Sequence, residues 1–315
     1  LSNVQRFTDA RLGDWDGDGR DELFVVDEDG RLLVAALDGT LLASKQVGDH
    51  RLNIVLDTDG DGRVEVFLSA RDGTDLNITV LDQQFREVRR FQTTGGTHRG
   101  RPDSGIRAER VVDLDRDGHL ELLAVVGTGY GWKPRGVYCF DYDTGRLLWR
   151  HLTGPGVTDV QVLDVDADGV LDVVFGTYSP GNGNRESDGT DDMHCYVHTI
   201  SGRGKLLWIR PMGGHFTGAY PLAVDLDGDG RQEIVVRVEA GPDFRSEVGQ
   251  LVRLDHQGRP SAQFDAGRTM RSALATDLDN DGRPEILATD RTGTLYVPGP
   301  DLSLVHKVSL GTTEY

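Results

Sequence analysis

Four carboxylates and a glycine recur in one fixed spacing, Asp-x-Asp-x-Asp-Gly-x-x-Asp/Glu, six times along the chain. The copies are Asp14-Asp16-Asp18-Gly19-Glu22, Asp57-Asp59-Asp61-Gly62-Glu65, Asp113-Asp115-Asp117-Gly118-Glu121, Asp164-Asp166-Asp168-Gly169-Asp172, Asp225-Asp227-Asp229-Gly230-Glu233 and Asp277-Asp279-Asp281-Gly282-Glu285. Carboxylates at alternate positions of a loop, with a glycine allowing the sharp turn, wrap oxygen ligands around a hard cation, as in the first half of an EF-hand loop. The spacing therefore assigns these 24 carboxylates as ligands of Ca²⁺, up to six ions, one per copy. A lone acidic turn would read as a solvated loop, but six intact copies do not.

An EF-hand needs a bidentate Glu at position 12. Here that position reads Val25, Leu68, Ala124, Phe175, Val236 and Ala288, so each loop closes on its position-nine carboxylate and runs into an apolar segment. Those segments, such as Leu23–Val26, Leu122–Val126 and Ile234–Val236, are short and β-branched and read as buried strands. Leu12, Leu56, Val112, Leu163, Val224 and Ala275 end an earlier strand, and two further strand candidates follow each loop. Leu32–Ala35 and Leu41–Ala43, around Asp38-Gly39, are one such pair. The first aspartates of successive copies lie 43, 56, 51, 61 and 52 residues apart. A self-similar four-stranded unit of that length is a β-propeller blade. The expected fold is all-β, a single six-bladed propeller over 1–315, with antiparallel blades near 1–48, 49–92, 93–152, 153–211, 212–266 and 267–315. Each blade carries its loop between the first and second strands. Seven blades is the alternative, disfavoured because no residues remain to build another.

The six motifs resemble those of the FG-GAP/VCBS repeat propellers, a group that includes integrin α-subunit heads, a fungal sugar-binding lectin and many bacterial secreted or surface proteins. The resemblance covers essentially the whole chain. It implies a calcium-binding propeller and leaves the ligand open, because one fold hosts many functions. The tails Asp143–Trp149 and Gly204–Trp208 also resemble the fourth-strand signature of quinone-type propeller repeats; Trp149 and Trp208 are read as blade-to-blade packing.

Formal charge is −18, and 24 of the 52 acidic residues lie in the loops. Six divalent ions would bring the charge to about −6, so the acidity reflects cation binding and nucleic acid is an unsuitable partner. Open calcium sites in extracellular modules bind at roughly 10⁻⁴ to 10⁻³ M, which places the protein in an extracellular, cell-surface or periplasmic setting. No stretch of about 18 apolar residues could span a bilayer, so direct membrane insertion is not expected. The chain opens inside a strand, and the expectation is a domain of a longer protein. Cys139 and Cys195, in similar third-strand positions, are expected as buried free thiols. Asn77-Ile78-Thr79 fits a glycosylation acceptor but falls in a strand. There is no nucleophile elbow, zinc-protease helix motif, Walker loop or Cys-x-x-Cys pair.

In a propeller blade the first-to-second and third-to-fourth loops share one face, and the remaining loops share the other. On that other face five connections are long: 127–136, 176–194, 239–249, and the blade-to-blade stretches 93–107 and 210–220. Long structureless connections in a compact domain are usually functional or disordered. They carry Tyr130, Trp132, Phe216 and Phe244 as flat apolar faces, Lys133, Arg135 and Arg185 as cations, and Asn182, Asn184, Glu186, Asp188, Asp191 and Asp192 as acceptors, with His194 and His215 beside them. Aromatic platforms flanked by planar polar groups suit a sugar ring. The candidate ligand set is Tyr130, Trp132, Lys133, Arg135, Asn184, Arg185, Asp191, Asp192, His194, His215 and Phe216. The expected function is a calcium-stabilised recognition module for a glycan or a protein partner, with no catalytic residue assigned. The alternatives are a polysaccharide lyase, in which the stretch Glu186–Asp192 supplies a base beside a cation, and a sensor or structural domain.

Overall fold

The computed structural model describes residues 7–129, 131, 133–240, 248–309 and 311. They are built of β-strands, and no helix occurs among them. The chain divides into two compact units, Leu1–Asp113 with Gly118–His151, and Leu114–Asp117 with Leu152–Tyr315.

In the first unit, β1 (Phe7–Gly13), β2 (Glu22–Asp27), β3 (Arg31–Ala35) and β4 (Leu41–Gln46) form one antiparallel sheet, and β5 (Arg51–Leu56), β6 (Glu65–Asp72), β7 (Asp75–Leu81) and β8 (Glu87–Thr94) a second. A two-stranded ribbon, β9 (Thr97–His98) with β10 (Arg101–Pro102), precedes the third sheet, β11 (Ser104–Val112), β12 (Glu121–Thr128), β13 (Gly136–Asp141) and β14 (Leu147–Leu152). In the second unit, β15 (Gly156–Leu163), β16 (Asp172–Tyr178), β17 (Cys195–Ser201) and β18 (Leu206–Gly213) form one set. The next is β19 (Thr217–Val224), β20 (Glu233–Ala240), β21 (Gly249–Leu254) and β22 (Pro260–Asp265). The last is β23 (Met270–Thr276), β24 (Glu285–Asp290), β25 (Thr294–Pro298) and β26 (Leu304–Ser309). Within each set the strands pair in chain order.

The apolar runs after the acidic loops are the second strands. Phe24, Val66, Leu122, Val173, Val235 and Ile286 are buried, because a second strand is covered on both faces while the fourth strand is an edge. β4 and β26 are accordingly exposed along most of their length. Sheets pack through these interior strands: Trp15, Phe24 and Val34 meet Leu52, Val66 and Leu68 in one apolar cluster. In the second unit Val174 and Val197 pack with Val236 and Val252, and Val235 and Leu251 with Ile286 and Tyr296. Each fully buried side chain of this size contributes roughly 1.5–3 kcal/mol. Trp208 donates its indole N–H to the His256 carbonyl at 3.0 Å, and a Cβ at Gly258 would lie 2.6 Å from its ring. That tryptophan is therefore inter-sheet packing, as its sequence context indicates.

Two expectations about connections need correction. The stretch 93–107 is not structureless: Arg99 and Gly100, at φ +50° and +76°, make the two-residue turn of the β9–β10 ribbon. Likewise β18 runs to Gly213 and β19 begins at Thr217, which leaves a three-residue connection in place of 210–220. Sets four and five are also joined, through the pair Tyr178–Gly218. Close approach is possible because Gly176 has no side chain; a Cβ there would lie 2.0 Å from the Ala219 carbonyl oxygen. Cys139 and Cys195 are buried free thiols, as expected. Asn77 sits inside β7, and its Oδ1 accepts from Gln92 Nε2 at 2.7 Å.

The tight second-to-third turns are held by an aspartate at the end of the second strand. Asp290 accepts from the N–H groups of Thr292 (2.8 Å) and Thr294 (2.9 Å), from the Thr292 hydroxyl (2.8 Å) and from the Tyr296 hydroxyl (2.9 Å). Burial opposes ionisation of Asp290, but these four donors outweigh it and hold its pKa at about 2. A depressed carboxyl stabilises the fold fully above its unfolded value of 3.8 and loses that contribution as pH falls toward 2. Asp290→Asn should lower stability at neutral pH by about 1–3 kcal/mol in denaturant unfolding, and its deficit against the parent chain should shrink on acidification from about pH 4 to pH 2.

Candidate functional site

The six acidic loops fold by one scheme of backbone-to-carboxylate hydrogen bonds. The first aspartate accepts on Oδ2 from the N–H of the motif glycine in every copy, at 2.8 Å for Gly19, 2.9 Å for Gly62, Gly230 and Gly282, and 3.0 Å for Gly118 and Gly169. Its Oδ1 takes the N–H of the fourth residue where that residue is Gly17, Gly60 or Gly228. Burial opposes the ionised form of Asp14, but the N–H groups of Gly19, Gly17, Asp18 and Asp16 outweigh it and draw the pKa down.

The fourth position is left-handed in every copy, a feature the sequence motif does not spell out. Gly17, Gly60 and Gly228 meet the requirement without strain, while Arg116, Ala167 and Asn280 adopt φ of +60°, +62° and +60°. A side chain there costs roughly 1–2 kcal/mol, least for Asn. The repeat tolerates this because the flanking N–H groups are already committed to carboxylates.

The position-nine carboxylate turns back beneath the loop. It accepts from the second residue's N–H in the pairs Trp15–Glu22 (2.8 Å), Thr58–Glu65 (2.9 Å), Val165–Asp172 (3.0 Å), Leu226–Glu233 (2.8 Å) and Leu278–Glu285 (2.8 Å). Desolvation pushes Glu22 and Glu233 up despite those bonds, with the loop aspartates adding repulsion. Asp172 is driven furthest, to about 6, by burial first and then by Asp166, Asp168 and Asp164. Carboxylate oxygens of Asp14, Asp16 and Asp18, of Asp57, Asp59 and Asp61, and of Asp164, Asp166 and Asp172 lie within 4.8 Å of one another. Buried Oδ1 of Asp115 has no hydrogen-bond partner. Converging, mutually repelling oxygens with an unsatisfied buried acceptor fit a hard divalent cation, and the position-one, -three, -five and -nine side chains would hold it.

The predicted ligand residues fall into two groups. In the first unit Lys133 is exposed, but Arg135 is 2% exposed and its Nε donates to Thr128 Oγ1 at 2.9 Å. Arg135 therefore supports its own loop and is not a surface cation. A Cβ at Gly96 would lie 2.0 Å from the Lys133 carbonyl oxygen, so the β8–β11 and β12–β13 connections pack together. Tyr130, Trp132 and Phe244 lie outside the described residues.

In the second unit the connection 179–194 is a compact polar structure. Asp192 is fully buried, and its carboxylate accepts from the N–H groups of Asn182, Gly183 and Asn184 at 2.9–3.0 Å. Asn184 is 1% exposed and donates to the Gly154 carbonyl at 2.7 Å. Both were expected to face a ligand; burial commits them instead to satisfying loop backbone. Their neighbours remain accessible. Arg185 and His194 are exposed, and His194 Nδ1 lies 2.8 Å from Asp191 Oδ1. The His215 and Phe216 rings are 3.6 Å apart between centroids, and Phe216 N–H donates to the Ser179 carbonyl at 2.9 Å. Loop 179–194 and the β18–β19 connection thus form one surface.

His198 was missed by the sequence reading. It is fully buried on β17, stacked on Phe175 at 4.6 Å, with Nε2 3.3 Å from Asp188 Oδ2. Asp188, taken from sequence as an available acceptor, is an internal partner of this histidine and of Thr190, which donates to its Oδ1 from both N–H and hydroxyl. β17 is buried on both faces from Val197 to Ile200, so no polar/apolar alternation marks His198 as interior.

A family model described as FG-GAP-like repeat matches residues 164–236 and 225–288. No curated protein matches by sequence. Among solved structures, the Dos1 propeller is similar at TM-score 0.57 and 10% identity, covering 99% of this chain and 75% of that one. A europium-containing methanol dehydrogenase is similar at 0.58 and 11%, covering 96% and 68%. BBS1N, solved in complex with ARL6DN, is similar at 0.55 and 12%, covering 97% and 82%. Likeness at these identities speaks for the fold.

Because Asp172 is raised in the fold, it stabilises the cation-free chain below its unfolded value of 3.8 and loses that contribution as pH rises through about 6. Chelator-treated protein should therefore gain stability from this group on going from pH 7 to pH 5. Calcium at pH 7 should raise the melting temperature, and Asp172→Asn should flatten the pH dependence seen with chelator. Thermal melts with chelator and with calcium check all three. Separately, Ala167→Gly should stabilise the calcium-loaded chain by about 1 kcal/mol, read from its denaturant midpoint.

Proposed function

Starting from a chain that is a β-propeller of FG-GAP repeats, a fold suited to binding and recognition, we propose that it is a calcium-stabilised extracellular recognition module of six blades. The ions are Ca²⁺, one in each acidic loop, because an all-carboxylate loop closed by a glycine turn is the donor set a large hard cation takes. Filling them offsets repulsion among 24 carboxylates and ties the first strand of each sheet to the second. Cation loss should cost stability by mass action. FG-GAP repeats are typical of extracellular or surface proteins, which agrees with open sites that need abundant calcium.

The ligand in this reading is a carbohydrate, bound on the face opposite the acidic loops. The observation that carries it is the ordered surface of loop 179–194, where the His215–Phe216 ring pair, Arg185 and the Asp191–His194 pair stand on a buried polar scaffold of Asp192 and Asn184. An apolar ring face beside planar hydrogen-bonding groups suits the two-sided chemistry of a sugar, and a scaffold fixed before binding lowers the entropic cost. A protein partner on the same face is the second reading, favoured by the similar BBS1N having been solved in complex with ARL6DN.

A glycan array probed with the calcium-loaded chain tests this. Binding to one sugar family should fall about tenfold or more in His194→Ala and Arg185→Ala, each removing roughly 1.4 kcal/mol or more, with melting temperature unchanged. Silence across the array would reject the carbohydrate reading.

A further inference from the structure

A second, chemically different site lies in the first unit. A cleft of about 980 Å³ runs across the first strands of its three sheets, β1, β5 and β11, with the ends of β6 and β12. Five arginines line it, Arg11, Arg51, Arg71, Arg107 and Arg110, in a chain of formal charge −18.

How these arginines are held distinguishes them. Some guanidinium groups elsewhere in this unit sit on carboxylates, as in Arg31–Asp27 and Arg86–Asp82, whereas Arg63 is held by the Asp16 carbonyl. In the cleft only Arg107 has such a partner, Glu109. Arg11 is held by the carbonyls of Asn53 and Ala10, Arg71 by those of Pro102 and Ser104, and Arg110 by that of Glu109. Arg51 is exposed. A carbonyl anchor fixes a guanidinium without cancelling its charge, and leaves other N–H groups of the fork for a second acceptor. Of the lining acids, Glu109 is committed to Arg107, and Asp103 accepts from the Gly131 N–H. Three other acids, Asp9, Asp49 and Asp103, line the cleft together with four arginines that have no carboxylate partner among the described residues.

The floor beside them is bare. Gly105 and Gly127 are cross-strand partners on β11 and β12, and a Cβ at either would meet nothing within 4 Å. Glycine inside a strand marks a bulge, a bend or close approach of a ligand or another backbone, and no backbone lies within 4 Å of a Cβ built at either glycine. A flat, open patch flanked by charged forks accepts a ring lying flat with carboxylates pointing outward. The volume is at the upper end of the roughly 300–1,000 Å³ usual for small-molecule sites, which suits an oligomer more than a single sugar.

We propose that this cleft binds a short oligosaccharide bearing carboxylate groups, with Arg11, Arg51, Arg71 and Arg110 as its recognition residues. The site is independent of the surface on loop 179–194. Charged hydrogen bonds carry the binding, so it weakens steeply with added salt.

The test is isothermal titration of the calcium-loaded chain with trigalacturonate at low salt, beside its neutral methyl ester and hexaglutamate. Trigalacturonate should bind, its ester and hexaglutamate at least tenfold more weakly. Arg51→Glu, which breaks no bond in the fold, and Arg110→Ala should each lower affinity about tenfold or more at unchanged melting temperature, since a charge-assisted hydrogen bond is worth about 1.5–3 kcal/mol. Arg185→Ala and His194→Ala should leave the titration unchanged even though they impair the other surface, so the two readings fail separately. Absence of binding, equal binding of the ester, or parent-like affinity in both cleft variants would overturn the proposal. Hexaglutamate binding as tightly would overturn it in favour of an acidic peptide.

Discussion

Everything else in this protein hangs on the hydrogen bonds that backbone N–H groups give to loop carboxylates. The first aspartate collects the motif glycine's N–H, and the position-nine residue takes the N–H of the second. Together they fold nine residues into a turn that delivers the first strand into register with the second: Leu12 meets Leu23, and Val224 meets Glu233. The same bonds gather like charges into a small volume, and Glu22, Asp172 and Glu233 are pushed up by burial first and then by the loop aspartates. A divalent cation held there would relieve the repulsion among these carboxylates, and would make folding and cation binding one linked equilibrium.

The second residue of each loop carries this geometry into the core. Trp15, Leu114 and Leu226 are buried; Trp15 lies edge-on to Phe24 and tilted against Phe85, and Leu226 packs with Val235 and Ile286. Leu278, 52% exposed, and Thr58 are the exceptions, and Thr58 is polar. Its hydroxyl bonds Glu65 at 2.6 Å and lies 2.9 Å from the Tyr142 hydroxyl of the third sheet, so there a polar chain replaces apolar packing. Burial drives the Tyr142 hydroxyl up to about 12, which keeps it a neutral donor throughout the working range.

Long connections show the opposite economy. Loop 179–194 carries so many polar side chains that sequence alone makes it look like a ligand surface. Much of that polarity serves the loop itself: Asp192 caps three N–H groups, Ser179 binds the Gly214 and Thr217 carbonyls, and Asp188 is shared by Thr190 and His198. A buried connection lacking a sheet partner must satisfy its own backbone, and only the residues left over, such as Arg185 and His194, face solvent.

The sequence by itself determined the repeat, the loop chemistry, the four-stranded set and the buried second strands, because each is a local property: carboxylates at alternate positions, a glycine at the sixth, an apolar run at strand length. It also located the long connection 179–194, since unequal spacing between copies is visible without coordinates, but 93–107 proved to hold a ribbon and 210–220 a three-residue turn. Tertiary structure alone decided which polar residues were free. Asn184, Asp192 and Arg135 became scaffold through partners far along the chain or across a loop, and His198 was buried by a strand face whose inward side depends on its neighbour. The cation cleft across β1, β5 and β11 was equally invisible, because arginines scattered over a hundred residues become one surface only when three sheets set their first strands side by side.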